Sequence, residues 1–189
     1  MKQAHVLSEH ELRRVLHMCT TSKHGDRNRM AVLLSHHAGL RVGEIASLTW
    51  DQVLDVNREI RRSFYLLAAK TKAGEAREVF LNGVLRRELT RFLDGQRVQA
   101  AKPAPIIRSQ KNGAFSANSL CQLFARIYRH AGVTGATSHS GRRWFITNLA
   151  HKGVSPKVIM ELAGHKQLTT TQRYIEVTGD MKSKAVGLL

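Results

Sequence analysis

Tyr174 closes the run "HSGRRWFITNLAHKGVSPKVIMELAGHKQLTTTQRY", nine residues after His165, in a stretch that also holds His139 and Arg142. A phenol, with a reference pKa of about 10, attacks only once a base or a strong positive field takes its proton. An arginine fork donates two hydrogen bonds at once, which suits the non-bridging oxygens of a phosphate as charge builds on them. A sugar oxygen leaves readily only if an acid protonates it. Arg41 and Arg142, His139 and His165, Tyr174, and a lysine at Lys72 or Lys70 supply every part of a phosphoryl transfer without a metal. Each residue alone has an ordinary explanation. A tyrosine near a chain end packs on the surface, His165 ends a helix, His139 and Arg142 share a helical face, and Arg41 or either lysine is a solvated charge.

Helices must position most of these groups. "LSEHELRRVLHMC" has Ser8 and Glu11 at capping-box spacing and an apolar stripe of Leu12, Val15, Leu16 and Cys19. "TTSKHGDRN" reads as a polar loop, and "RMAVLLSHHAG" as a second helix stopped by Gly39. "RVGEIASLTW" is a short third helix with Arg41 at its start. The period then changes. "IRRSFYLLAAK" and "AREVFL" read as strands joined by a turn at Gly74, and "DQVLDV" as a third short strand. "GVLRRELTRFLDGQRVQ" and "SANSLCQLFARIYRHAG" return to helical spacing, with a loop and a brief strand at 105–108 between them. Three short helices are expected at about 141–152, 155–163 and 168–175. The fold class is mainly α with a small antiparallel β-sheet (α+β), and residues 1–189 read as one domain.

Thirty Lys and Arg against 14 Asp and Glu give a net charge of +16, a field that attracts polyanions. Aromatic content is 6%, too low for stacking on single strands to be the main binding mode. Cys19 and Cys121 fall on apolar helical faces and read as buried free thiols, not a disulfide or metal cluster. No signal peptide or membrane span is read, so a cytoplasmic, nucleoid-associated location is expected and a membrane partner is not.

In context, these residues resemble the tyrosine recombinases, or phage integrases. The family's first motif, an arginine after a helix end with an acidic residue three later, is matched by "AGLRVGEIASLTW", giving Arg41 and Glu44. Its hairpin lysine is matched by "KTKAGEAREVFL", where Lys72, nine residues before Leu81, fits better than Lys70. "HSGR" matches the His-x-x-Arg box with His139 and Arg142, and "LAGHKQLTTTQRY" supplies His165 and Tyr174. The resemblance covers roughly residues 7 to 178. Three positions depart from the pattern: Gly141 replaces an apolar residue, Arg143 a frequent histidine, and Phe80 a common proline. Most relatives carry a helical DNA-clamping domain ahead of this one, and here only a few residues precede the first helix. The chain therefore reads as a short member, like the fimbrial-switch inversion recombinases, or as an excised catalytic fragment, with Met1 favouring the former.

The resemblance implies cutting and rejoining of double-stranded DNA through a 3′-phosphotyrosyl intermediate, with no cofactor and no metal. It casts Tyr174 as nucleophile, Arg41 and Arg142 as phosphate clamp, and Lys72 as acid. His139 becomes a base or hydrogen-bond partner of Tyr174, His165 a donor to the phosphate, and Glu44 an orienting group. It also implies a tetramer on DNA, a monomer without it, and DNA-bending accessory proteins. Phosphate contacts are expected from Arg61, Arg62, Lys70, Arg126, Arg129, Lys152, Lys157 and Lys166. Two alternatives remain open. One is a non-enzymatic regulator, because "GVSPKVIMELAGHKQLTTTQRYI" resembles a helix-turn-helix. The other is a relaxing enzyme with type IB topoisomerase chemistry.

Overall fold

The computed structural model describes residues 4–67, 76–96, 103–175 and 177–188. Helix α1 (Glu9–Thr20) begins at a reciprocal cap. Ser8 Oγ accepts from the Glu11 amide at 3.2 Å, and the Glu11 carboxylate accepts from the Ser8 amide at 2.8 Å. Helix α2 (Gly25–His37) starts earlier than its apolar pattern suggests. Gly25, Asp26, Arg27 and Asn28, read as loop, form its first turn, because buried Asn28 finds local partners in Ser22 Oγ and Arg27. This helix runs through the centre of the molecule and is buried on nearly every side from Met30 to His36. It ends before Gly39, whose φ of +61° reverses the chain toward Arg41.

Helices α3 (Val42–Ser47) and α4 (Trp50–Val53) follow. The third strand expected in "DQVLDV" is not formed. Gln52 caps back onto Thr49, and buried Trp50 and Val53 lie on one helical face, which selects a helical turn. Only Leu54 pairs in β fashion, as an isolated bridge to Ile60. Strands β1 (Ser63–Leu66) and β2 (Arg77–Phe80) are antiparallel, with Ser63 opposite Phe80 and Leu66 opposite Arg77. The hairpin turn, including Lys70, Lys72 and Gly74, lies outside the described residues. Asn82 caps α5 (Gly83–Asp94). The brief strand expected at 105–108 is reduced to single bridges, Thr49 to Pro105 and Arg108 to Ala114.

Helix α6 (Ala117–His130) buries Leu120, Phe124 and Tyr128 against the main core, which also contains Trp50, Leu33 and Leu34. Each large apolar side chain so buried contributes about 1.5–3 kcal/mol. Helix α7 (Ser140–His151) lies close on α2. A Cβ at Gly141 would stand 2.6 Å from Ser35 Oγ, so the glycine that departs from the family pattern is what lets the two helices meet. Helices α8 (Pro156–Ala163) and α9 (Leu168–Gln172) complete a smaller cluster. There Ile146, Ala150, Ile159 and Ala163 pack with Phe145, Leu149, Tyr174 and Ile175. A further helix, α10 (Gly179–Val186), capped by Thr178, was not expected from the sequence. Cys19 is a buried free thiol, pushed up to about 11 by burial. Cys121 is only half-buried, with Sγ 3.3 Å from Ser138 Oγ. Among the described residues no helix is long and apolar enough to cross a membrane.

Candidate active site

Arg41 is the N-cap residue of α3, delivered by the reversal at Gly39. Arg142 projects from the first turns of α7, held at depth by the close approach at Gly141. The two converge on one place, the C-terminal end of α8. The last carbonyls of a helix lack helical partners and carry its negative pole. Three consecutive ones are taken here by three guanidinium groups. Arg77 donates to Leu162 O at 2.9 Å, Arg142 to Ala163 O, and Arg41 to Gly164 O at 2.9 Å. Arg142 also donates to Gly39 O at 2.6 Å, tying the α2–α3 turn to α8. Gly164, at φ +61°, ends α8 and presents His165 just beyond.

Under the arginines lies Glu44, with its side chain only 1% exposed. It accepts from the Arg41 backbone N–H at 2.8 Å, Arg41 Nη1 at 2.9 Å and Arg77 Nη2 at 2.8 Å. Burial opposes its ionisation, but Arg77, the Arg41 amide, and the Arg41 and Arg142 charges outweigh burial and hold the carboxyl below its usual range. Arg142 is 4% exposed. Burial first, then the Arg41 charge, push it down to about 9, so it remains a cation at neutral pH.

His165 is half-buried and pushed down to about 4, first by burial and then by Arg142, Arg41 and Arg77. It is therefore neutral at pH 7. Its Nδ1 lies 2.8 Å from Oγ1 of Thr171, which is fully buried. The Tyr174 ring stacks beside it, centroids 5.8 Å apart and planes at 21°. Tyr174 is half-buried against the α7–α8 cluster and lies within electrostatic reach of Arg142. An open cavity of about 610 Å³ fronts the site, lined by Arg41, Arg77, Phe80, Gly164, His165 and Lys166.

Four of the six expected residues, Arg41, Arg142, His165 and Tyr174, thus gather around the end of α8. His139 is the exposed N-cap residue of α7, one turn from Arg142. Lys72 lies outside the described residues. Among the expected phosphate contacts, Lys166 lines the cavity, Lys157 stands 3.5 Å from Glu161, and Arg61 donates to Leu54 O. Two participants escaped the sequence reading, Arg77 and Thr171. Arg77 had a signal available: in a strand it shares a face with buried Val79, an inward position that calls for a charged partner. Among the described residues no group of three or more His, Cys, Asp or Glu side chains is placed to hold a metal ion. What this arrangement can do is grip an anion, through guanidinium forks beside a neutral imidazole and a phenol.

A mostly helical domain with a two-stranded sheet and an anion-gripping cluster at one helix end describes a known class of protein. The chain belongs to the phage integrase family, whose pattern it matches over residues 5–180. It is 31% identical over 179 residues to the tyrosine recombinase XerA of Thermococcus kodakarensis, covering 95% of this chain and 60% of that protein. Its fold is similar to the crystal structure of XerA recombinase, with a TM-score of 0.78 at 19% identity, covering 100% of this chain and 66% of that one. It is similar to the same degree, TM-score 0.78 at 18% identity, to the Tn1549 transposon integrase in complex with a circular intermediate DNA, covering 100% of this chain and 67% of that one. The chain thus spans 60% of the length of the XerA relative.

Proposed function

We propose that the protein is a site-specific recombinase that cuts and rejoins duplex DNA through a 3′-phosphotyrosyl intermediate. The observation that carries this reading is the convergence of Arg41 and Arg142 on adjacent carbonyls at the end of α8, next to the stacked pair of His165 and Tyr174. A scissile phosphate entering the cavity competes for those guanidinium donors, which then stabilise the charge that grows in the transition state. With Thr171 donating its hydroxyl proton to Nδ1, neutral His165 keeps a hydrogen on Nε2 and donates it to a non-bridging oxygen. Tyr174 attacks phosphorus as the 5′ oxygen leaves. His139 receives or relays the phenolic proton, and Lys72 protonates the departing oxygen. The ester conserves the bond energy, and a strand from a second duplex reverses the step.

The relatives' names, recombinase and transposon integrase, support this reading, as does the DNA in the integrase complex. The net charge of +16 supplies the sequence-independent grip on phosphates. Exchange between two duplexes needs four active sites, so the reading includes a tetramer on DNA and a monomer off it. It also includes DNA-bending accessory proteins and a location with the chromosome. The catalytic unit it requires is the single domain of residues 1–189.

The test is incubation with nicked duplexes carrying candidate sites, scored for a protein–DNA band that survives detergent. The expected result is a band for the wild-type protein and none for Tyr174→Phe, which still shifts DNA. Binding with no covalent band on any site favours a non-enzymatic regulator. Relaxation of supercoiled plasmid without a defined site favours a topoisomerase.

A further inference from the structure

Glu44 poses an electrostatic problem for a phosphate-binding site. It places a buried negative charge directly behind Arg41, whose Nη1 and backbone N–H it already engages at 2.9 and 2.8 Å. Left alone, that carboxylate would neutralise Arg41 and draw it away from an incoming phosphate. Arg77 addresses this. It reaches across 33 positions of sequence to the second Glu44 oxygen at 2.8 Å, with its own side chain 9% exposed. Its other Nη is fixed on Leu162 O at 2.9 Å. Its stem lies so tightly over Gly164 that any Cβ there would collide with Arg77 Cδ.

The charge count then decides the outcome. Among the groups clustered on Glu44 and the end of α8, Arg41, Arg77 and Arg142 against Glu44 leave a surplus of two positive charges, with His165 neutral and Lys166 farther out on the cavity wall. A phosphodiester at rest carries one negative charge, and an attacking phenolate adds to it as the bond forms. Without Arg77 the surplus is one, enough for the resting phosphate but short for the transition state.

We infer that Arg77 is a positioning residue for the strand-cleavage reaction: it neutralises Glu44, so that Arg41 stays available to the phosphate and the site keeps the surplus charge the transition state needs. This rests on the recombinase reading. Arg77 acts through Glu44 and Arg41, not by touching DNA. Its loss should therefore reduce the rate of cleavage more than the affinity for the duplex.

The experiment is single-turnover cleavage of a nicked site at saturating protein, with DNA affinity measured in parallel. Arg77→Met is expected to slow cleavage about 100-fold, the scale of a displaced catalytic group, with little change in affinity. Adding Glu44→Gln to Arg77→Met removes the charge that captures Arg41, and is expected to restore most of the rate. Arg77→Lys keeps the charge toward Glu44 and should stay close to wild type, which serves as the readout if Arg77→Met fails to fold. Wild-type rates in Arg77→Met, no recovery in the double variant, or Arg77→Lys as slow as Arg77→Met would each overturn the inference. A wild-type protein that forms no adduct on any site sinks the recombinase reading itself, and this inference with it.

Discussion

Thr171 Oγ1 stands 2.8 Å from His165 Nδ1, with the threonine fully buried beneath the imidazole. The contact fixes the ring plane, and a hydroxyl that donates to Nδ1 leaves the ring hydrogen of a neutral imidazole on Nε2. Thr171→Val preserves shape but not the hydroxyl. It should slow covalent adduct formation roughly tenfold, the scale of one lost hydrogen bond, while Thr171→Ser stays near wild type. Adduct kinetics together with a thermal melt separate this from a folding defect.

Arg142 ties two parts of the fold together through the guanidinium that, in the recombinase reading, clamps the phosphate. It links Gly39 O to Ala163 O from a 4% exposed position. Arg142→Gln leaves a carbonyl unpaired in the interior, so unfolding free energy should fall by about 1–3 kcal/mol. Adduct formation should fall about 100-fold or more, as when an oxyanion donor is removed. Urea titration and adduct kinetics on the same preparation measure both.

Gly164 combines a left-handed φ of +61° with the stem of Arg77 lying over it. Gly164→Ala should cost about 1–3 kcal/mol of backbone strain and also push Arg77 off Glu44. A drop in melting temperature with slowed cleavage is expected. Unchanged cleavage in a destabilised variant would disconnect the two effects.

His36 gives the fold an acid limit. It is 1% exposed, both ring nitrogens lack hydrogen-bond partners among the described residues, and it stacks on Trp144 with centroids 3.6 Å apart. Burial, with His37 adding to it, pushes its pKa down from 6.5 to about 3. The folded state therefore keeps the ring neutral, while the unfolded chain takes up a proton below 6.5. Stability from this group is full above pH 6.5 and declines as the pH drops toward 3. Between pH 7 and pH 5 the loss should be roughly 2 kcal/mol. His36→Phe, which keeps the stacking, should flatten that slope in urea titrations at the two pH values.

The sequence was most informative where structure is local. Ser8 with Glu11 marks the start of α1 because the cap closes within one turn. The stripe of Leu120, Phe124, Ile127 and Tyr128 marks the buried face of α6. It was misleading where a short apolar run suits either state. "DQVLDV", with two valines and a leucine in six residues, reads as a strand, but Trp50 and Val53 are placed in the core by a helical turn. Helix α10 went unread because its composition carries no apolar stripe.

For the site, residue types group Arg41, His139, Arg142, His165, Tyr174 and a lysine as the parts of one phosphoryl transfer, the resemblance to the tyrosine recombinases singles out Lys72 and adds Glu44, and Lys72 lies outside the described residues. Sequence alone could not reveal what those groups hold between reactions. The meeting of Arg77, Arg142 and Arg41 on carbonyls 162, 163 and 164 spans 85, 21 and 123 positions. Hydrogen bonds of that range leave no local period in a chain. They are decided by how α3, β2 and α7 pack around one helix end, where a partly buried negative pole favours whatever positive charge the fold can bring to it.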